Sequence, residues 1–125
     1  MKKNNTIEEI NTSINNLLEE WNISKEHNDK VVPHIIGLQL KKIRLVNKMT
    51  QTRVAKSIFV TFQQIQKYEK GQNLINPINL LALTDYFNVS FDYWVKPIQN
   101  KNLTLLTKRR ENGFSNNRAW IQDRV

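Results

Sequence analysis

The sequence predicts an all-α fold, and three observations carry that expectation. Apolar residues recur at intervals of three and four. Helix caps and stops follow one another at short spacing. No run of alternating apolar and polar residues marks a strand. The 125 residues have room for one domain and some appendages. A hydrophobic fraction of 39% supports a modest core, and a mean hydropathy of −0.57 suits a soluble chain.

The first helix starts at Thr6, whose hydroxyl and the Glu9 carboxylate three residues on make a capping box. Glu8 and Glu9 suit the positive end of the helix dipole. Ile7, Ile10, Ile14, Leu17, Leu18 and Trp21 then form one apolar stripe. Such a stripe must be buried, either on its own domain or against a second copy or another protein. Residues 24–32 read as a linker, and Pro33 suits the first turn of the next helix, where its missing N–H is not needed. That helix is expected to place Ile36, Leu40, Ile43 and Val46 inward and Lys41, Lys42 and Lys48 outward, ending near Asn47-Lys48.

Val54, Ala55 and Ile58 give a short third helix its buried face. Ile65 and Tyr68 do the same for a fourth, which Gly71 stops. Asn76-Pro77 opens a fifth through cap and first-turn chemistry. There Ile78, Leu81, Ala82, Thr84 and Tyr86 are expected around a mostly apolar, deeply buried surface. Ser90 is expected to cap a last short helix over Phe91–Val95, ended by Pro97. Three regions result: an N-terminal amphipathic helix and linker (1–32), a helical domain (33–97), and a basic C-terminal extension (98–125) ordered only in part.

Charge divides along the same lines. The regions carry −2, +6 and +4, for a net +8 and a pI near 9.9. A basic centre and tail favour a polyanionic partner, although many basic surfaces are merely solvated. The abundance of Asn, Ile and Lys is explained by codon bias in an AT-rich genome. Without cysteine there is no disulfide framework, no thiolate nucleophile and no Cys-based zinc site. No apolar run approaches the roughly 20 residues that span a bilayer, and Met1-Lys2-Lys3-Asn4-Asn5 leads into an acidic helix rather than a signal peptide. A cytoplasmic location follows. No serine has a base and an orienting acid in a recognisable arrangement, and no glycine-rich loop is built to hold a phosphate. His27 and His34 lack companion ligands. The chain is therefore read as non-enzymatic, with no metal or cofactor.

Residues 51–70 carry the chemistry. Two short helices joined by a tight turn suit DNA: the first crosses the phosphate backbone and the second lies in the major groove. Gln51 opens the first and can donate to a phosphate beside the helix N-terminal N–H groups. With Ile65 and Tyr68 in the core, Gln63, Gln66, Lys67 and Lys70 are directed away from it. Gln pairs bidentately with adenine N6 and N7, and Lys donates to guanine O6 and N7. Helical spacing groups Phe62 with Ile65 in the core; the alternative is apolar contact with a thymine methyl group.

The segment Ile36-Gly37-Leu38-Gln39-Leu40-Lys41-Lys42-Ile43-Arg44, then Thr50-Gln51, Val54-Ala55, Ile65, Tyr68-Glu69-Lys70-Gly71 and Val89-Ser90-Phe91-Asp92-Tyr93-Trp94, resembles the helix-turn-helix domain of the lambda repressor and Cro superfamily, also called the XRE family. The set covers about half the chain in the family's order. The resemblance implies a five-helix lambda-repressor-like DNA-binding domain, with Phe62, Gln63, Gln64 and Lys67 facing bases. It implies phosphate contacts from Gln51, Thr52, Thr61 and Lys70, and an Arg44–Glu69 salt bridge between the first and third helices of the domain. Two residues depart from the family. Phe59 stands where a glycine is usual in the turn, at a cost of roughly 1–2 kcal/mol for positive φ, so a rearranged turn is expected. Phe62 stands where a polar base reader is usual.

The expected function is a sequence-specific DNA-binding regulator, a repressor of a bacterium or its phage. It would bind double-stranded DNA as a homodimer, because one short helix reads too few bases. Candidate dimer surfaces are the Ile7–Trp21 stripe and the surroundings of Tyr93, Trp94 and Trp120. The alternative is an antitoxin-like protein that binds a protein partner through its terminal segments, including the N-terminal helix, and autoregulates its operon.

Overall fold

The computed structural model describes residues 6–21 and 28–100, and among these the fold is all-α. The helices are α1 (Ile7–Trp21), α2 (Asn28–Val46), α3 (Gln51–Ser57), α4 (Phe62–Glu69) and α5 (Pro77–Phe87), followed by a 3₁₀ helix (Phe91–Val95). Trp120 and the Lys108-Arg109-Arg110 run lie outside the described residues, as do His27 and Ser24–Glu26 of the expected linker.

At the start of α1 the Glu9 N–H donates to the Thr6 hydroxyl at 3.1 Å and the Thr6 N–H to the Glu9 carboxylate at 3.0 Å, which is a capping box. Ile10 and Ile14 are buried against Val31, Ile35 and Leu38 of α2 and against Ile98, with Leu17 and Leu18 at the margin. The middle of the apolar stripe is thus covered within the chain. Ile10 and Ile14 are therefore not available to a second copy or another protein.

α2 begins at Asn28, five residues before the expected start. Val31 decides this: buried against α1, it contributes roughly 1.5–3 kcal/mol that only a helical register secures. Pro33 therefore sits inside the helix rather than in its opening turn. It stands in the second turn, where the helix forgoes the bond that an N–H there would make to the Asp29 carbonyl. Ile36, Leu40 and Ile43 point inward, whereas Val46 is exposed, because the chain turns away one residue later.

A main core gathers Ile36, Leu40, Ile43, Val54, Ala55, Ile58, Ile65, Tyr68, Leu80, Leu83 and Trp94. Asn76 caps α5 through the Asn79 N–H at 2.8 Å, with Pro77 in its first turn. The orientation of α5 differs from expectation. Leu80 and Leu83 face the core, while Ile78 (78% exposed), Leu81 (59%) and Tyr86 face outward. α5 is apolar around most of its circumference, so residue spacing alone assigns it no face. Trp94 is fully buried, its indole N–H on the Thr84 hydroxyl at 2.7 Å. Ser90 makes no side-chain cap bond, and Pro97 does not end the chain's helical path, which continues over 96–100 and places Ile98 against α1. Trp94 is thereby removed as a dimer surface, and Tyr93 is half-buried.

Candidate nucleic-acid interface

α3 and α4 are each capped by a threonine. The Thr50 hydroxyl accepts from the Arg53 N–H at 3.1 Å, and the Thr61 hydroxyl from the Gln64 N–H at 3.0 Å. Between the helices Phe59 is in the left-handed region, φ +60°, with its ring 94% exposed. The turn is nevertheless not rearranged. The Val60 N–H reaches the Ala55 carbonyl at 3.0 Å and the Phe59 N–H the Lys56 carbonyl at 3.4 Å, which is the pattern a glycine normally closes. Ile58, buried before it, and Val60, packed against the main core after it, hold the chain there despite the residue.

Three contacts seat α4. Arg44 and Glu69, both buried, form a two-pronged ion pair, Nε to Oε2 at 2.7 Å and Nη2 to Oε1 at 3.0 Å. Arg44 also donates to the Met49 carbonyl at 2.9 Å. At Gly37 of α2 an added Cβ would overlap the Tyr68 carbonyl oxygen. Gly71, at φ +74°, closes α4 with its N–H on the Tyr68 carbonyl and lies over His34, whose Cα an added Cβ would approach to 2.7 Å. Burial there holds the His34 imidazole below its usual pKa of 6.5, against an opposing pull from Glu20.

With Ile65, Tyr68 and Glu69 turned inward, Gln63, Lys67 and Lys70 are left on the outer face of α4, all exposed. Phe62, 38% exposed, stands at the mouth of the helix and outside the core cluster, so the core position suggested by its spacing is not adopted. A residue in the first turn projects past the end of the packed face. Gln64 is turned aside, its amide donating to Asn73 at 3.2 Å. Gln51 is half-buried and donates to Glu69 Oε1 at 2.9 Å, while Thr52 and Thr61 are exposed beside the two helix starts. Asn73 was not singled out from sequence, although a polar residue two positions after Gly71 is the available signal. Exposed Arg53 and Lys56 on α3 extend the basic surface. Two helix starts and a row of amide and ammonium groups are thus presented on one rigid unit. That surface is suited to phosphates and base edges.

A helix-turn-helix family model matches residues 40–94. A protein from Rhodospirillum rubrum, described as an uncharacterized transcriptional regulator in the ATPase CF(0) region, is 30% identical over 77 residues, covering 59% of this chain and 71% of that one. The chain belongs to the helix-turn-helix family of transcriptional regulators. Other helix-turn-helix relatives are uncharacterized regulators from Sinorhizobium fredii, 35% identical over 66 residues (53% of this chain, 46% of the relative), and Rickettsia conorii, 30% over 71 (57% of each). The chain thus spans about half the length of these two helix-turn-helix proteins. No solved structure matches it significantly.

Proposed function

We propose that this regulator binds a specific DNA operator and represses transcription from it, in the bacterial cytoplasm and at the nucleoid when bound. α4 enters the major groove with Gln63 and Lys67 on base edges. Phe62 meets a thymine methyl and Gln64 reads from the flank. Gln51, Thr52, Thr61 and Lys70 hold the phosphates on either side. The observation that carries this reading is the outer face of α4, where Gln63, Lys67 and Lys70 stand exposed on a helix whose other face is tied to α2 by a buried ion pair. Exposed amides on a rigidly seated helix serve recognition better than solubility, because hydrogen-bond readout needs fixed donors. A homodimer supplies the second half-site, since a single short helix reads too few bases for selectivity.

The test is selection from random duplexes with wild-type protein, Gln63→Ala and Lys67→Ala. Wild type is expected to enrich one half-site repeated with two-fold symmetry. Each variant should relax preference at one base position, at about 1–3 kcal/mol per lost bidentate contact. Affinity should fall steeply with salt, by a log–log slope of about −0.9 for each phosphate contacted. Enrichment of no motif by the wild type sinks the reading, even if weak salt-sensitive binding persists.

A further inference from the structure

Phe59 costs the free domain on two counts. Its backbone is in the left-handed region at φ +60°, which a residue with a Cβ adopts only under strain. Its ring is the most exposed of the large apolar side chains among the described residues and stands outside both core clusters. The turn asks for the conformation alone: the Val60 N–H on the Ala55 carbonyl closes it, and a glycine would close it without strain. A strained residue that gains nothing inside its own chain marks a surface that something outside the chain completes.

The neighbourhood says what that is. Chain connectivity keeps the Phe59 Cα within about 8 Å of that of Thr61 and about 11 Å of that of Phe62, so the ring stands beside the start of α4. Arg53 and Lys56 on α3 and Lys67 and Lys70 on α4 are exposed on the two helices that Phe59 joins. Between residues 50 and 84 the one acidic side chain is Glu69, and it is buried in its pair with Arg44. A solvent-facing ring among cations, with no exposed carboxylate on either helix, matches a polyanion that also has apolar edges. Duplex DNA has both, since deoxyribose C–H groups lie between its phosphates. We propose that Phe59 is a DNA contact, its ring lying on the deoxyribose edge of the strand that flanks α4. The proposal rests on the operator-binding reading of α4 and adds to it an apolar contact that carries affinity but reads no base. The residue that weakens the free domain thereby tightens the complex.

The test uses the full-length chain and the duplex motif that the wild type enriches, with Phe59→Gly and Phe59→Asn. Glycine and asparagine take positive φ most readily, so both variants keep the turn while removing the ring, and weaker binding cannot be put down to unfolding. Both should bind the motif about tenfold more weakly than the wild type. They should enrich the same motif and keep the same salt slope, because a ring on a sugar reads no base and releases no counterion. In the wild-type complex, intermolecular NOEs should join the Phe59 ring to deoxyribose protons. The proposal is overturned if both variants bind as tightly as the wild type, which would give the ring to a protein partner instead. It is also overturned if the enriched motif changes, or if the ring shows no NOE to a sugar. A wild type that enriches a motif which the variants bind equally well sinks this contact alone; a wild type that enriches none sinks the operator reading and this contact with it.

Discussion

Phe59 carries left-handed backbone with its ring in solvent, so nothing in the packing repays the conformation. Its replacement by glycine removes about 1–2 kcal/mol of strain and adds roughly 0.5–1 kcal/mol of unfolded-state entropy. Phe59→Gly is therefore expected to stabilise the domain by up to about 1.5 kcal/mol, read as a higher urea midpoint at unchanged slope; a lower midpoint would show that the ring has a partner. The sequence made this position conspicuous without resolving it. The cost of a phenylalanine there was legible, whereas the strength of the cap around it depends on Ile58 and Val60 packing. Phe62 has a similar history: its spacing groups it with Ile65, yet at the first residue of a helix the packed face has not begun.

At the level of elements, α2, α3, α4 and α5 all end alike. Lys48, Phe59, Gly71 and Asn88 take positive φ, and the residue after each donates back five positions: Met49 to Arg44, Val60 to Ala55, Gln72 to Lys67, Val89 to Thr84. Of these four residues only Gly71 has the side chain that favours such a stop outright, although the end of α2 near Asn47-Lys48 was also legible. The bond between α2 and α4 allows a direct measurement. Glu69→Ala strands a buried guanidinium and should cost about 3–5 kcal/mol, whereas Arg44→Met with Glu69→Leu, which removes both charges, should cost much less. Single losses of Arg44→Met and Glu69→Leu that simply add in the double variant would mean that the pair is not electrostatically coupled. His34, under the end of α4, gives a pH dependence. Its folded-state pKa lies below 6.5, so below that pH the unfolded chain takes up the proton first. Stability is expected to be full above pH 6.5 and to decline as pH falls towards the folded value. His34→Gln should flatten that decline in thermal melts; an unchanged slope would assign it to carboxylates instead.

At the scale of the molecule, helix positions and the recognition motif were legible because caps and a two-helix pattern with fixed register are local. The faces of α1 and α5 were less so, since burial of a stripe depends on what comes to lie beside it. α1 packs Ile10 and Ile14 on α2, and among the described residues α5 carries the exposed apolar pair Ile78 and Leu81. The two-fold contact that the proposed operator binding would need is expected on that face. Ile78→Lys with Leu81→Lys should leave the fold intact and halve the mass seen in sedimentation. Operator affinity should fall by far more than single-site binding to a half-site. A variant that still sediments as wild type places the contact elsewhere.

Gly37 lets the backbone of α4 rest directly on α2, and Gly71, just past the end of α4, lies against His34 of α2. A helix so seated has one resting position, and the residues that fix it are all on its hidden side. Gln63, Lys67 and Lys70 on the other side are then free to be exchanged without touching the fold. The two glycines therefore make the protein adaptable: under the proposed operator reading, base-facing residues can change one at a time, each step leaving a folded regulator behind.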